Sequence, residues 1–122
     1  MIAIRWNGSS YKTTSDYTYE PPDGAALSPM DIMCEALGMC IAVSLVRLLE
    51  QEEIEENELI IEVQPHKASV GAPRVEKFRI TADFARSLDS DLREKLLTHA
   101  SRICTIGNTL KRGAELTYEL KN

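Results

Sequence analysis

The stretch SPMDIMCEALGMCIAVSLVRLLEQ, residues 28–51, decides the fold of this chain. It opens with the features of a helix start, because Ser28 can act as N-cap, Pro29 suits the first helical position and Asp31 completes a capping-box-like pair. Residues 36–46 are apolar on every side of the helix that follows. Such a helix is enclosed by other elements rather than lying on a surface. We therefore predict a central helix over residues 28–53.

The residues before this helix have the pattern of a β-hairpin. Residues 2–6 alternate between apolar and polar side chains, and the dipeptide Asn7-Gly8 that follows is a strong signal for a tight turn. The Thr- and Tyr-rich residues 11–19 then predict the return strand. Prolines and a glycine in residues 20–27 indicate a loop. Residues 1–27 are thus expected to form an N-terminal hairpin and loop.

Residues 54–122 are expected to hold strands, a second helix and a last strand. Residues 59–63 and 75–84 have strand patterns, and a loop around Gly71 joins them. Ser90 is a candidate N-cap for the second helix, and a short helical turn is expected after Cys104. Gly107 is expected to break the helical pattern. Residues 114–120 are expected to close the chain as a strand. The apolar positions of the second helix recur at helical spacing: Leu88, Leu92, Leu96, Ala100 and Ile103.

This order of elements predicts one α+β domain over residues 1–122. Strands and helices alternate in blocks rather than singly, which favours a largely antiparallel sheet. About five short strands offer too little surface to cover an all-round apolar helix. A homodimer that buries the remaining surface is therefore expected.

The composition and charge of the chain limit which partners and which cellular location we expect. The 122 residues carry a net charge of −5, and residues 50–58 contain six carboxylates, which would repel a nucleic-acid backbone. No charged leader precedes an apolar stretch, and the longest uncharged apolar run is far shorter than the roughly 20 residues that span a bilayer. We expect a cytoplasmic protein with no nucleic-acid or membrane partner.

The three cysteines are either reactive thiols or small buried hydrophobic residues, because none lies in a C-x-x-C pair and three are too few for a disulfide scaffold. Cys40 lies in the middle of the first helix, among small and apolar neighbours. Cys104 follows the second helix, where free backbone N–H groups can stabilise a thiolate, and we expect it to have free access to a second sulfur. Cys34 lies roughly 9 Å from Cys40 along the helix and cannot bridge it.

Other chemistries have little support. His66 and His99 are single, without the spacing of a metal site, and Ser28 and Ser44 have no base at a recognisable distance. A Gly-rich phosphate loop is also missing from the sequence. No metal and no cofactor is therefore expected.

Two segments together resemble motifs of the OsmC/Ohr family, the osmotically induced and organic hydroperoxide resistance proteins. Residues 28–40 resemble the family's helix start, in which a proline is followed by a mostly apolar stretch that ends in small residue, any residue, cysteine. Residues 104–110, CTIGNTL, resemble the second motif. The resemblance implies an intertwined homodimer in which sheets wrap two central helices, with active sites at the subunit interface.

The resemblance also implies a chemistry. Cys40 would be the peroxidatic thiol, which reduces a small organic hydroperoxide, and Cys104 the resolving thiol, which condenses with the oxidised Cys40 to a disulfide. A dithiol reductant, a lipoyl-bearing protein in the hydroperoxide branch, would complete the cycle. The alternative is a non-catalytic dimer of the same fold that binds an apolar small molecule at its interface.

The sequence departs from the hydroperoxide branch in its charged groups. That branch has an arginine just past the first hairpin turn and a glutamate directly after the helix-start proline. Here these places hold residues 9–12, SSYK, and Met30. A thiolate and a leaving alkoxide both need a nearby cation or donor. Lys12, Arg5 and Arg47 are the candidates for this charge assistance.

Overall fold

The computed structural model describes residues 1–15, 28–55, 58–84 and 88–122. The described residues form an α+β fold, as predicted, with one antiparallel four-stranded sheet in the order β2-β1-β3-β4. Three helices accompany the sheet. In chain order the elements are β1 (Ile2–Trp6), β2 (Tyr11–Ser15), α1 (Pro29–Gln51), β3 (Leu59–Lys67), β4 (Val75–Phe84), α2 (Ser90–Ile103) and α3 (Thr105–Arg112).

The N-terminal hairpin forms around a four-residue turn. The side-chain oxygen of Asn7 accepts hydrogen bonds from the backbone N–H groups of Ser9 at 2.9 Å and Ser10 at 2.8 Å. Gly8 has a φ of 97°, a left-handed conformation that glycine adopts without steric cost. The turn therefore uses Asn7 and Gly8 as expected. The described return strand ends at Ser15, and residues 16–19 of the predicted strand lie outside the described residues.

The start of α1 is the predicted capping box. The Ser28 hydroxyl accepts a hydrogen bond from the N–H of Asp31 at 3.1 Å, and the Ser28 N–H donates back to the Asp31 carboxylate at 3.3 Å. Two N–H groups at the helix start, where no helical partner exists, are thereby satisfied. Pro29 occupies the first turn.

The helix α1 packs closely against the sheet at Gly38. A Cβ atom at this position would lie 3.0 Å from Cγ1 of Ile4 and 3.1 Å from Cγ2 of Val63, closer than ordinary van der Waals contact. Ile4, Val63 and the neighbouring inward side chains of β1 and β3 are fully buried. The absence of a side chain at Gly38 thus sets how near the helix approaches the sheet.

One face of α1 is not covered by the described part of the chain. Ile32 and Met33 are 53% and 36% exposed, although both are large apolar side chains. By length and composition alone α1 could cross a membrane, but 56% of its most apolar window is buried inside the chain. Burial against the sheet, α2 and α3 is the arrangement of a core helix. The predicted full enclosure of α1 is therefore incomplete within a single chain.

Three sequence-based predictions are wrong. The N-cap of α2 is Asp89, and Ser90 is the first helical residue. Gly107 does not break the helical pattern, because it lies inside α3, a helix of eight residues. Residues 114–120 do not form a strand, and every residue from 111 to 122 is exposed. A strand needs a neighbouring strand for its backbone N–H and C=O groups. None of the described segments of the same chain supplies one.

Candidate functional site

The junction between α2 and α3 holds Cys104. This residue ends α2 and begins α3, with an extended backbone at φ −76° and ψ 108°. Its sulfur accepts a hydrogen bond from the N–H of Gly107 at 3.2 Å, so it serves as the N-cap of α3. The amide of Asn108 donates to the carbonyl oxygen of Arg102 at 3.0 Å, which ties α3 to the last turn of α2. The sulfur is therefore held in a fixed place at the positive end of α3.

The second thiol lies on α1, which packs against both α2 and α3. Cys40 is half-buried, and its carbonyl oxygen accepts a hydrogen bond from the Ser44 hydroxyl at 2.8 Å. The side chain of Cys40 is hydrogen-bonded to the side chain of Cys104. The fold thus brings together the two sulfurs that the sequence motifs single out.

Burial decides the protonation of Cys104. Removal from solvent, together with the hydrogen bond to Cys40, raises the pKa of the Cys104 thiol from 9.0 to about 11. The N–H of Gly107 acts in the opposite direction but is outweighed. Cys104 is fully buried, whereas Cys40 is only half-buried. Cys104 therefore meets a second sulfur, that of Cys40, although its own side chain is closed off from solvent.

A groove of 490 Å³ adjoins the thiol pair. Gly107 links the two, because it lines the groove and a Cβ atom there would lie 3.3 Å from the Cys104 sulfur. Lys77 and Lys111 stand among the polar lining residues. The apolar lining comes from α1, β4 and α3: Leu37, Ile41, Phe78, Ile80 and Leu110. Such a surface suits an apolar molecule whose reactive end meets the thiols.

Arg5, Lys12 and Arg47 were predicted to assist the thiols by their positive charge. Within one chain the three side chains lie away from the thiol pair. Arg5 and Lys12 are paired across the hairpin and exposed, on the sheet face opposite to the one that packs on α1. Arg47 is exposed on α1 and interacts electrostatically with Tyr11. None of the three is among the groups that shift the pKa of Cys104.

The remaining cysteine and the acidic end of α1 lie apart from this site. Cys34 is fully buried, and burial followed by the charge of Asp31 raises the pKa of its thiol. A second cavity, of 570 Å³, lies beside Trp6, Glu50 and Glu53. In the described residues no group of three or more His, Cys, Asp or Glu side chains is placed to hold a metal ion.

The two-cysteine motif on this scaffold agrees with comparisons to known proteins. The family model described as OsmC-like protein matches residues 22–119, which include both cysteines of the pair. The chain belongs to the OsmC-like protein family. The resemblance read from residues 28–40 and 104–110 is therefore confirmed. A comparison with curated protein sequences finds no significant match.

Solved structures support the fold of this OsmC-like protein. An OsmC-like hydroperoxide resistance protein from Jannaschia sp. CCS1 aligns with a TM-score of 0.65 at 14% identity, covering 99% of this chain and 93% of the other. An OsmC-like protein from Mycoplasma pneumoniae aligns with a TM-score of 0.65 at 16% identity, covering 89% and 85%. At these identities the likeness establishes the fold and no more.

The sequence motifs did not reveal the role of β4 in the OsmC-like site. Phe78 and Ile80 of β4 line the groove next to the thiols, but their pattern alone indicated only a strand with one inward face. The relevant signal was the alternation of apolar and charged residues along residues 75–84. That pattern identifies the inward face, and only the packing of α3 shows which cavity this face lines.

Proposed function

We propose that this protein is a thiol-dependent peroxidase that reduces small organic hydroperoxides through a Cys40/Cys104 dithiol and disulfide cycle. The observation that carries the proposal is the hydrogen bond between the two side chains, which are distant in sequence. Two free thiols that the fold brings together can be oxidised to a disulfide.

The two thiols have different roles in the proposed cycle. Cys40 is the attacking thiol, because this residue is half-buried and Cys104 is fully buried. Its thiolate attacks one peroxide oxygen, so that an S–O bond forms, the O–O bond breaks and Cys40 becomes a sulfenic acid. With a pKa of about 11, Cys104 holds a proton that it can give to the departing alkoxide, which leaves as an alcohol.

The second step closes the disulfide. The Cys104 sulfur attacks the sulfenic sulfur of Cys40, an S–S bond forms, and the sulfenic oxygen leaves as water with a proton. Two electrons from the dithiol have then reduced the peroxide to an alcohol and water. An external dithiol, which we propose to be a lipoyl-bearing protein, restores both thiols by exchange. This reductant, and three thiols that are free, fit a cytoplasmic location.

The apolar groove beside the pair supports an organic substrate. Leu37, Ile41 and Phe78 would contact a hydrocarbon group, whereas hydrogen peroxide gains nothing from them. The Jannaschia protein of the same fold is described as a hydroperoxide resistance protein. The same groove also supports a second candidate, a non-catalytic OsmC-like dimer that binds an apolar small molecule.

We infer that the active form is a homodimer. The exposed apolar side chains of Ile32 and Met33 lie on the same helix as Cys40, on the side that the described part of the chain leaves open. Burying them against a second copy is favourable. Charge assistance by Arg5, Lys12 or Arg47 then requires this second copy, because within one chain their side chains lie away from the thiols.

The proposal is tested by a single oxidation of the reduced protein. One equivalent of cumene hydroperoxide is added and the thiols are mapped by peptide mass; a disulfide between Cys40 and Cys104 is expected. Cys104→Ser should accumulate a sulfenic acid that dimedone traps on Cys40, and Cys40→Ser should leave the peroxide intact. Cys34→Ser is the matched control and should react like the natural chain. Free thiols and persistent peroxide would favour the binding protein instead.

A further inference from the structure

The sulfur of Cys104 has two separate contacts. It accepts the hydrogen bond from the N–H of Gly107, at 3.2 Å, that caps α3. The side chain of Cys104 also interacts with that of Cys40 on α1. The same atom therefore begins a helix and takes part in the proposed chemistry, so a change in its bonding acts directly on the start of α3.

The helix α3 is short and shallowly packed, which makes its start sensitive to the loss of one contact. None of its eight residues is fully buried, and Thr105 in its first turn is exposed. Isolated helices shorter than about 12 residues are marginal in water. The order of the first turn of α3 therefore depends on contacts such as the one that the Cys104 sulfur makes with the N–H of Gly107.

A further hydrogen bond ties α3 to α2 without using a sulfur. The side-chain amide of Asn108 donates to the carbonyl oxygen of Arg102 at 3.0 Å, and Arg102 lies in the last turn of α2. Oxidation of the thiols leaves both of these groups chemically unchanged. The start of α3 is thus held by one contact that oxidation alters and by another that it does not.

We propose that α3 is a redox-sensitive element: the Cys40–Cys104 disulfide removes its cap, and its first turn loosens while Asn108 keeps the helix attached to α2. This inference rests on the proposed function of the two thiols. A disulfide brings two sulfurs to about 2.05 Å, far nearer than two unbonded sulfur atoms can lie. The Cys104 sulfur is therefore drawn towards Cys40, and the N–H of Gly107 loses its acceptor.

The oxidation that drives this change balances within the proposed cycle. The two thiols lose two electrons and two protons as the S–S bond forms. The organic hydroperoxide accepts them, so that its O–O bond breaks and an alcohol and water leave. An external dithiol returns the electrons and protons by exchange, which restores the cap. Diamide can replace the peroxide in an experiment, because its N=N bond accepts the same two electrons and two protons.

Loosening of α3 changes access to the thiol pair. Gly107, Asn108 and Leu110 of α3 line the groove beside the thiols. Cys104 is fully buried in the dithiol form, in which all cysteines are free. When the first turn of α3 opens, a reductant reaches the Cys104 sulfur from the groove. The dithiol form thus keeps the resolving thiol closed off from solvent, and the disulfide form admits the molecule that reduces it.

Amide hydrogen exchange tests the switch without a peroxide. The reduced chain and the chain oxidised by one equivalent of diamide are compared by NMR. We expect the amides of residues 107–109 to exchange at least about tenfold faster in the disulfide form, whereas those of Leu97 and Ala100 in α2 keep their rates. A disulfide with unchanged protection of residues 107–109 overturns the switch and leaves the proposed peroxidase standing. Failure of diamide to join Cys40 and Cys104 overturns both.

Two substitutions of Cys104 separate the loss of the cap from the formation of the disulfide. Cys104→Ser keeps an acceptor at the N-cap, whereas Cys104→Ala removes it, and neither variant can form the disulfide. We expect Cys104→Ala to show the fast exchange of residues 107–109 without any oxidant. Cys104→Ser should match the reduced natural chain, with or without diamide. Equal exchange in the two variants would contradict the role of the cap.

The rate at which the disulfide is reduced tests the contact between α3 and α2. In diamide-oxidised protein, Asn108→Ala should be reduced by dithiothreitol about three- to tenfold faster, because α3 has then lost a second hydrogen bond. Thr109→Ala is the matched control and should keep the natural rate, since the Thr109 hydroxyl donates to the carbonyl oxygen of Thr105 inside α3. Equal rates in Asn108→Ala and the natural chain would mean that α3 does not control access to the disulfide.

Discussion

Cys104 and Cys40 interact through their side chains, and this contact, after burial, raises the pKa of the Cys104 thiol. One sulfur comes from the middle of α1 and the other from the joint between α2 and α3. The contact therefore depends on how three helices pack rather than on a local motif. Burial raises the pKa of the Cys104 thiol, whereas Cys40 is only half-buried. The fold thus gives two chemically identical side chains different properties.

The raised pKa of Cys104 makes stability depend on alkaline pH. The folded chain holds this proton up to about pH 11, whereas the unfolded chain releases it near the ordinary value of 9.0. The stabilising contribution is therefore complete below pH 9.0 and is lost as the pH rises towards about 11. Between about pH 8 and about pH 10.5 the free energy of unfolding in urea should fall by on the order of 1 kcal/mol more than in Cys104→Ser.

Cys104→Ser is the suitable reference because serine does not titrate in this range and retains a polar hydrogen at the same place. Cys34, whose pKa is also raised, is present in both chains and its contribution cancels. Parallel curves for the two proteins would mean that Cys104 titrates normally, and the assignment of the proton to Cys104 would then be lost.

Gly107 is expected to control how easily Cys104 moves. Gly107→Ala would place a Cβ atom 3.3 Å from the Cys104 sulfur and 3.8 Å from Cδ1 of Leu37. Alanine is favoured over glycine inside a helix by up to about 1 kcal/mol, so overall stability should change little. The rate of Cys40–Cys104 disulfide formation with diamide should fall by about tenfold, the effect of roughly 1.4 kcal/mol on a barrier.

Diamide avoids any dependence on a particular peroxide, and quenched samples can be followed by peptide mass. Thr105→Ala, at an exposed position of the same helix, is the control and should oxidise at the natural rate. An unchanged rate in Gly107→Ala would show that the sulfur has room to shift away from the added methyl group.

The central helix and its capping box were predictable because each leaves a local signal in the sequence. Ser28 and Asp31 are three residues apart, and residues 36–46 are apolar throughout. The burial of Cys104 was not predictable, because it results from the packing of α1, α2 and α3 against one another. Residues 114–120 have the alternation of a strand, but such a pattern does not show whether another strand lies beside it, and none of the described segments of the chain does.

The contribution of the capping box at the start of α1 to the stability of the fold can be measured by substitution. Ser28→Ala removes the acceptor for the Asp31 N–H, and an N-cap substitution of this kind costs about 1 kcal/mol. Urea unfolding followed by circular dichroism should show a lower midpoint with an unchanged slope. Ser28→Asn retains a capping oxygen and should recover most of the loss. If Ser28→Ala is as stable as the natural chain, the box contributes nothing.

Gly38 fixes the distance between α1 and the sheet, and an alanine there should be destabilising despite its helix preference. Its methyl group would meet Cγ1 of Ile4 at 3.0 Å and Cγ2 of Val63 at 3.1 Å, both fully buried side chains. Overpacking of a well-filled core typically costs about 1–3 kcal/mol, against a gain of up to about 1 kcal/mol in helix preference. We expect a net loss of roughly 1 kcal/mol in the free energy of unfolding.

A double-mutant cycle separates this contact from general effects on the helix. Val63→Ala removes one of the two close contacts that Gly38→Ala would make, so the double variant should be more stable than the sum of the two single losses implies, by about 0.5 kcal/mol or more. Ala42→Gly on the same helix is the control for helix preference alone, and it should show no such coupling with Val63→Ala. Simple additivity in the Gly38 cycle would mean that α1 shifts as a rigid body, and the Cys40–Cys104 contact should then weaken as well.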